Sequence, residues 1–177
     1  MRPIFTVHAG EYLVGSKVEG LGYNVWLPAK DSGVDLLATD SKNRRVASLQ
    51  VKFSKDFMPP GTSGSGLKAL GWWSLGADKI RESKADLWVL ALCSLEAQRR
   101  YYIVIPPRDL WRNLVRLHPG KKTIQTYFWV TESDTCWEAR GLSKKDQKLV
   151  RIDEYSNCHR EFSQYLDNWK PLKQLLG

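Results

Sequence analysis

Two carboxylates, an amide and an amine stand among apolar neighbours early in the chain: Glu11, Asp35, Gln50 and Lys52. Helical periodicity places Glu11 at the centre of a stripe made by Val7, Val14, Val18 and Leu21. A carboxylate facing a core needs a compensating cation, a hydrogen-bond network or a metal. Asp35 interrupts the apolar run VDLLA, where strand propensity disfavours it. Gln50 and Lys52 point to one face of the strand VASLQVKF, while Ala47, Leu49, Val51 and Phe53 fill the other. Magnesium prefers hard oxygen ligands, usually one or two carboxylates with waters and phosphate oxygens. Asp35 would be its central ligand, the Gln50 side-chain carbonyl and the Val51 backbone carbonyl would add neutral oxygens, and Glu11 would bind the ion or orient its water. Lys52 would position or deprotonate an attacking water and offset charge on a pentavalent transition state. The reaction class this set implies is metal-assisted phosphodiester hydrolysis. Each residue also has a plainer reading: Glu11 reaching solvent at a shifted helix start, Asp35 in a strand-end turn, Gln50 and Lys52 on a solvent-facing strand.

The elements that would position these residues follow in order. A helix spans 7–21, stopped by Gly20 and Gly22. YNVWLP and VDLLA read as a hairpin joined by the turn KDSG, and VASLQVKF is the clearest strand in the chain. Residues 54–67 are too rich in Pro, Gly and Ser for regular structure, and a helix is expected over 69–83. DLWVLALCS and YYIVIPP suit buried neighbouring strands. RDLWRNLVRL reads as a helix after its two prolines, TIQTYFWV as a strand, and CHREFSQYLDNWKPLKQLL as a terminal helix interrupted near Pro171. The order implies a single α/β domain over 1–177, with helices flanking a central mixed sheet.

Glu11, then GYNVW, then SGVD at 32–35, then QVK at 50–52 resembles the PD-(D/E)xK nuclease superfamily. It is most similar to the branch of archaeal Holliday junction resolvases and restriction endonuclease-like proteins, over roughly residues 7–53. The resemblance implies a restriction endonuclease-like sandwich, with Glu11, Asp35, Gln50 and Lys52 as catalytic residues and Mg2+ as cofactor, Mn2+ substituting. Gln50 departs from the usual acid, which removes one negative charge; the same Gln-x-Lys variant occurs in active members of the superfamily.

Lys and Arg outnumber Asp and Glu 27 to 19, giving a net charge of +8 and a pI near 9.4, which favours a polyanionic partner. DNA is the expected partner, with RNA as a second candidate. Lys42, Arg44, Arg45 and Lys55 are candidate phosphate contacts flanking the site, and Trp72 and Trp73 candidate stacking residues. Arg140, Lys144, Lys145, Lys148 and Arg151 form a second basic run, and His8 precedes Glu11 by one turn. Three widely spaced cysteines argue against a disulfide framework or zinc site. Neither a leader nor a membrane span is expected, so the reading is an intracellular protein, cytoplasmic or nucleoid-associated. The leading expectation is a magnesium-dependent DNA endonuclease, structure-selective or sequence-selective, acting as a homodimer because two opposed cuts need two sites. The alternative is a nucleic-acid-binding module that keeps the fold with weak or lost cutting.

Overall fold

Alternation of apolar and polar residues in VASLQVKF produces the strand on which the rest is hung. In the computed structural model, which describes residues 9–30, 33–54, 66–94 and 99–177, this strand is β3, Val46–Phe53. Before it come α1 (Ala9–Gly20), β1 (Asn24–Trp26) and β2 (Leu36–Thr39). After it come β4 (Leu67–Gly76), α2 (Ala77–Arg81), β5 (Leu87–Ala91), β6 (Cys93–Ser94) and β7 (Tyr102–Ile105). The C-terminal part adds α3 (Pro107–Leu117), β8 (Thr123–Thr131), β9 (Cys136–Glu138), α4 (Lys144–Arg151), a 3-10 turn (Ser163–Tyr165) and α5 (Lys170–Leu176).

Among the described residues the strands form two sheets. The first has the order β1-β2-β3-β5-β7 and the second β6-β4-β8-β9. Only β3 and β5 are parallel; the other pairs are antiparallel, so the first sheet is mixed, as the sequence implied. One face of it carries Ala47, Leu49, Val51, Val89 and Val104 against Val14 and Val18 of α1 and Leu172 and Leu176 of α5. The other face carries Trp88, Leu90, Ile103 and Ile105 against the second sheet's Trp73, Leu75, Ile124 and Phe128, with Leu110 and Leu114 of α3. The first sheet is thus buried on both sides, which explains the unbroken apolar runs of β5 and β7. The start of α1 sits close to β3: a Cβ on Gly10 would lie 2.5 Å from Phe53 Cβ. Glu11 beside it is half-buried rather than central to the core, and the buried stripe of α1 is Gly10, Val14, Gly15 and Val18.

The expected helix over 69–83 is instead β4 followed by the single helical turn of α2. Packing decides this. Ala69, Trp73 and Leu75 alternate into the space between the sheets, and β4 pairs along its length with β8, with a bulge between Leu67 and Ala69. Gly71 is required because the Trp73 ring lies over it where a Cβ would be. The expected terminal helix is divided: Pro171 stands in the first turn of α5, where its missing N–H costs nothing, rather than interrupting a longer helix. The strand β9 and the helix α4 were not anticipated. Ser143 caps α4, its hydroxyl accepting from the Asp146 N–H at 3.1 Å. Among the described residues no helix is long and apolar enough to cross a membrane.

Candidate active site

The second strand of the hairpin ends before the third does, and the site lies at that step. Leu36 is the last residue of β2 paired with β3, opposite Leu49, and the Asp35 N–H still donates to Leu49 O at 2.8 Å. Two residues further along β3, Val51 turns its N–H and C=O in the same direction with no strand left to meet them. The Asp35 side chain takes that place: its Oδ2 accepts from the Val51 N–H at 2.7 Å and from the Gln50 side-chain amide. Lys52 Nζ donates to Val51 O at 3.0 Å and stands 3.7 Å from the same Asp35 oxygen. Asp35, Gln50, Lys52 and the Val51 backbone are therefore gathered within hydrogen-bonding or ion-pair reach of one another.

These side chains line a cleft of about 430 Å3, open to solvent. Its wall beside Gln50 is Trp88, the neighbour of Gln50 across β3 and β5, held by an indole N–H bond to Ser83 Oγ at 2.8 Å. Lys52 Nζ lies 5.8 Å from the Trp88 ring centre. Gly33, which lines the cleft near Gln50 Oε1, has a φ of 85°, a conformation that favours glycine. The opposite wall comes from α2 and the turn after it, with Lys79 and Lys84 beside Asp78 and Glu82. Arg81 bonds both of those acids at 2.9 Å, which offsets their charge. Reading 69–83 as one helix hid Lys79 and Lys84; only a correct placement of α2 brings them to the cleft.

A magnesium ion is chemically compatible with this donor set. Asp35 supplies a carboxylate, Val51 a carbonyl that Lys52 Nζ also reaches, and Gln50 an amide that carries a carbonyl as well as the N–H now given to Asp35. Among the described residues no three His, Cys, Asp or Glu side chains converge as a metal group, so the cation would rest on one carboxylate, neutral oxygens and the oxygens of its substrate. Glu11 is not part of the cleft lining. It lies in the first turn of α1, the end that packs on Phe53 one residue beyond Lys52.

The remaining candidates divide. Lys42, Arg44 and Arg45 do not flank the cleft: they are exposed in the turn joining β2 to β3, at the far end of the hairpin from Asp35, because pairing runs from Thr39–Val46 to Leu36–Leu49. The Arg45 guanidinium lies against Gly177. Trp73 is 5% exposed and packs on Phe128 at 6.0 Å between ring centres, so it is core and not a stacking surface. Trp72, one residue earlier, faces outward and is 37% exposed. Lys55 and His8 lie outside the described residues.

None of the protein-family models, curated proteins or solved structures compared with the chain matches it.

One ionic cluster elsewhere was not foreseen. Glu138 of β9 is fully buried, and its Oε1 accepts from Thr126 Oγ1 at 3.1 Å and the Arg140 N–H at 3.2 Å, with His118 Nε2 at 3.3 Å. Arg160 donates to its Oε2 at 2.5 Å, and the same guanidinium nitrogen reaches Glu138 O and Arg140 O. The group is satisfied on all sides and holds β9 to the chain near Arg160. Glu138→Ala would leave Arg160 half-buried without its carboxylate, and a loss of about 3–5 kcal/mol is expected. Urea unfolding measures it; a loss below about 1 kcal/mol would contradict a structural role.

Proposed function

We propose that the chain is a magnesium-dependent DNA endonuclease of the PD-(D/E)xK type with a restriction endonuclease-like sandwich. The observation that carries the reading is the convergence of Asp35, Gln50, the Val51 carbonyl and Lys52 where β2 stops short of β3. Asp35 and the two neutral oxygens would hold the cation, which would polarise the scissile phosphate and lower the pKa of the attacking water. Lys52, fixed beside both Asp35 and Val51 O, would orient that water and counter the charge gained by the phosphate. Lys79 and Lys84 on the facing wall would hold the flanking phosphates. Glu11 would act from the adjoining end of α1, positioning rather than forming the cleft. A homodimer would supply two such sites for two opposed cuts.

The test incubates the protein with supercoiled plasmid, linear duplex and a four-way junction, with Mg2+ or Mn2+ and with chelator. Cutting of at least one substrate that requires the metal is expected. Binding of all three with no metal-dependent cutting would sink the enzyme reading in favour of a nucleic-acid-binding module. Gln50→Glu restores a second carboxylate, so half-maximal cutting should require several-fold less Mg2+ than in the wild type. An unchanged Mg2+ requirement would show that residue 50 does not face the ion.

A further inference from the structure

The outer face of the second sheet bears features that the cleft at Asp35 does not use. Residues of β4 and β8 alternate, so the face away from the first sheet carries Leu70, Trp72 and Ser74 beside Trp129, Tyr127 and Gln125; Leu70 and Trp129 are buried there with Leu142 and Val150, while Trp72, Ser74 and Gln125 stay exposed and Tyr127 is half-buried. Trp72 and Tyr127 are cross-strand neighbours in register, which sets two aromatic side chains adjacent on one surface. Arg140 lies over the Tyr127 ring at 5.1 Å and donates to the Tyr127 hydroxyl at 2.8 Å. Its backbone is clamped from beneath, the N–H by Glu138 and the carbonyl by Arg160. The guanidinium is therefore carried on a fixed main chain.

Two clefts meet at Arg140. One, of about 430 Å3, is walled by Tyr127, Trp129 and Leu142 with Gln147; the other, of about 280 Å3, by Lys121, His118, Thr123 and Gln125. Among the described residues no acid lines either cleft, so both suit an anion; Glu138, the nearest acid in the bonding network, is buried and already paired. Aromatic faces next to a planar cation and a lysine match a strand whose bases are unpaired and whose phosphates are charged. An acidic peptide would satisfy the cations and leave the aromatic pair unused, and a duplex hides the faces of its bases.

We propose that this sheet face binds single-stranded nucleic acid, with bases stacked on Trp72 and on the Tyr127–Arg140 pair and the backbone phosphates held by Arg140 and Lys121. The face is anchored to the catalytic strand, because the Trp72 N–H donates to Ser54 Oγ, just after Lys52, at 2.9 Å. It goes beyond the nuclease reading and does not depend on cutting.

Fluorescence anisotropy with labelled oligothymidine, oligouridine and a duplex of equal length, in EDTA at low salt, tests it. Single strands should bind more tightly than the duplex, and the affinity should fall with salt. Trp72→Ala and Arg140→Ala should each weaken binding about tenfold. Lys121→Glu, in an exposed turn, should weaken it several-fold, which keeps a surface variant available if either of the others melts at a lower temperature. The oligothymidine and oligouridine arms show whether the sugar is discriminated. Wild-type affinity in Trp72→Ala and Arg140→Ala would overturn the proposal, as would equal affinity for the duplex. Absence of binding, together with a dimer that Trp72→Ala dissociates, would overturn it in favour of self-association. The titration reads binding without metal, so its failure and the failure of the cleavage assay are separable results.

Discussion

Asp35→Ala should abolish metal-dependent cutting, lowering the rate by about a thousandfold or more. Among the described residues Asp35 is the one carboxylate lining the β2–β3 side of the cleft, and without it a cation there would keep only neutral oxygens from those residues. The substitution also has a structural cost. Val51 loses the acceptor for its N–H and Gln50 the acceptor for its amide, an effect of about 1–3 kcal/mol for the buried donor. Asp35→Asn separates the two effects, because its amide oxygen can still accept from Val51 while the charge is gone. Asp35→Asn should melt close to the wild type and cut no better than Asp35→Ala. A near-wild-type cutting rate for Asp35→Asn, measured on plasmid, would remove the carboxylate from the chemistry.

Lys52→Ala should lower the cutting rate about a hundredfold to ten-thousandfold, the range expected for removing a positioned acid–base or charge-stabilising group. Its stability should change by less than about 1 kcal/mol, because Lys52 is 36% exposed on its side chain and its ion pair with Asp35 is screened by solvent. Lys52→Arg adds a further distinction. Guanidinium retains its proton at any working pH, so it can replace the charge but cannot accept a proton from water. Single-turnover rates on one substrate measure both variants. Recovery in Lys52→Arg assigns the residue to charge stabilisation, and failure to recover assigns it to proton transfer. Full activity in Lys52→Ala would mean the amine is not used.

The parts of the fold legible in the sequence were those in which local pattern and tertiary burial agree. VASLQVKF has one apolar face and one polar face, and the strand runs over the same residues. The hairpin before it and the runs LWVLA and YIVI were equally plain, since a strand buried on both sides needs little besides apolar residues. The chain from 67 to 83 was not. LKALGWWSLG offers helix formers beside alternating aromatics, and the choice is made by β8, far along the chain, which pairs with β4 along its length. The strand CWE was missed for the same reason: a buried glutamate contradicts a core strand until Arg160, His118 and Thr126 surround it.

The candidate site shows the same division. Asp35, Gln50 and Lys52 were identifiable as polar residues in apolar strands, and the register of β2 on β3 brings them together. The shared face of Gln50 and Lys52 follows from the two-residue period alone. That Gln50 donates to Asp35 could not be read from spacing, because it depends on where β2 ends. Lys42, Arg44 and Arg45 looked close to Asp35 in sequence yet lie across the length of a hairpin from it. Lys79 and Lys84 looked remote and form the opposite wall. Sequence distance misled in both directions wherever a turn or a crossover intervened.

The proposed chemistry requires that Asp35, Gln50 and the Val51 carbonyl hold a divalent cation. Anomalous diffraction from a crystal grown with Mn2+ locates such an ion directly. One anomalous peak is expected in the cleft, about 2.0–2.3 Å from an Asp35 oxygen, with the Gln50 side-chain oxygen and Val51 O as further ligands. A cleft with no peak at saturating Mn2+ and bound DNA, or a peak held only by residues outside it, would rule out a cation site at Asp35.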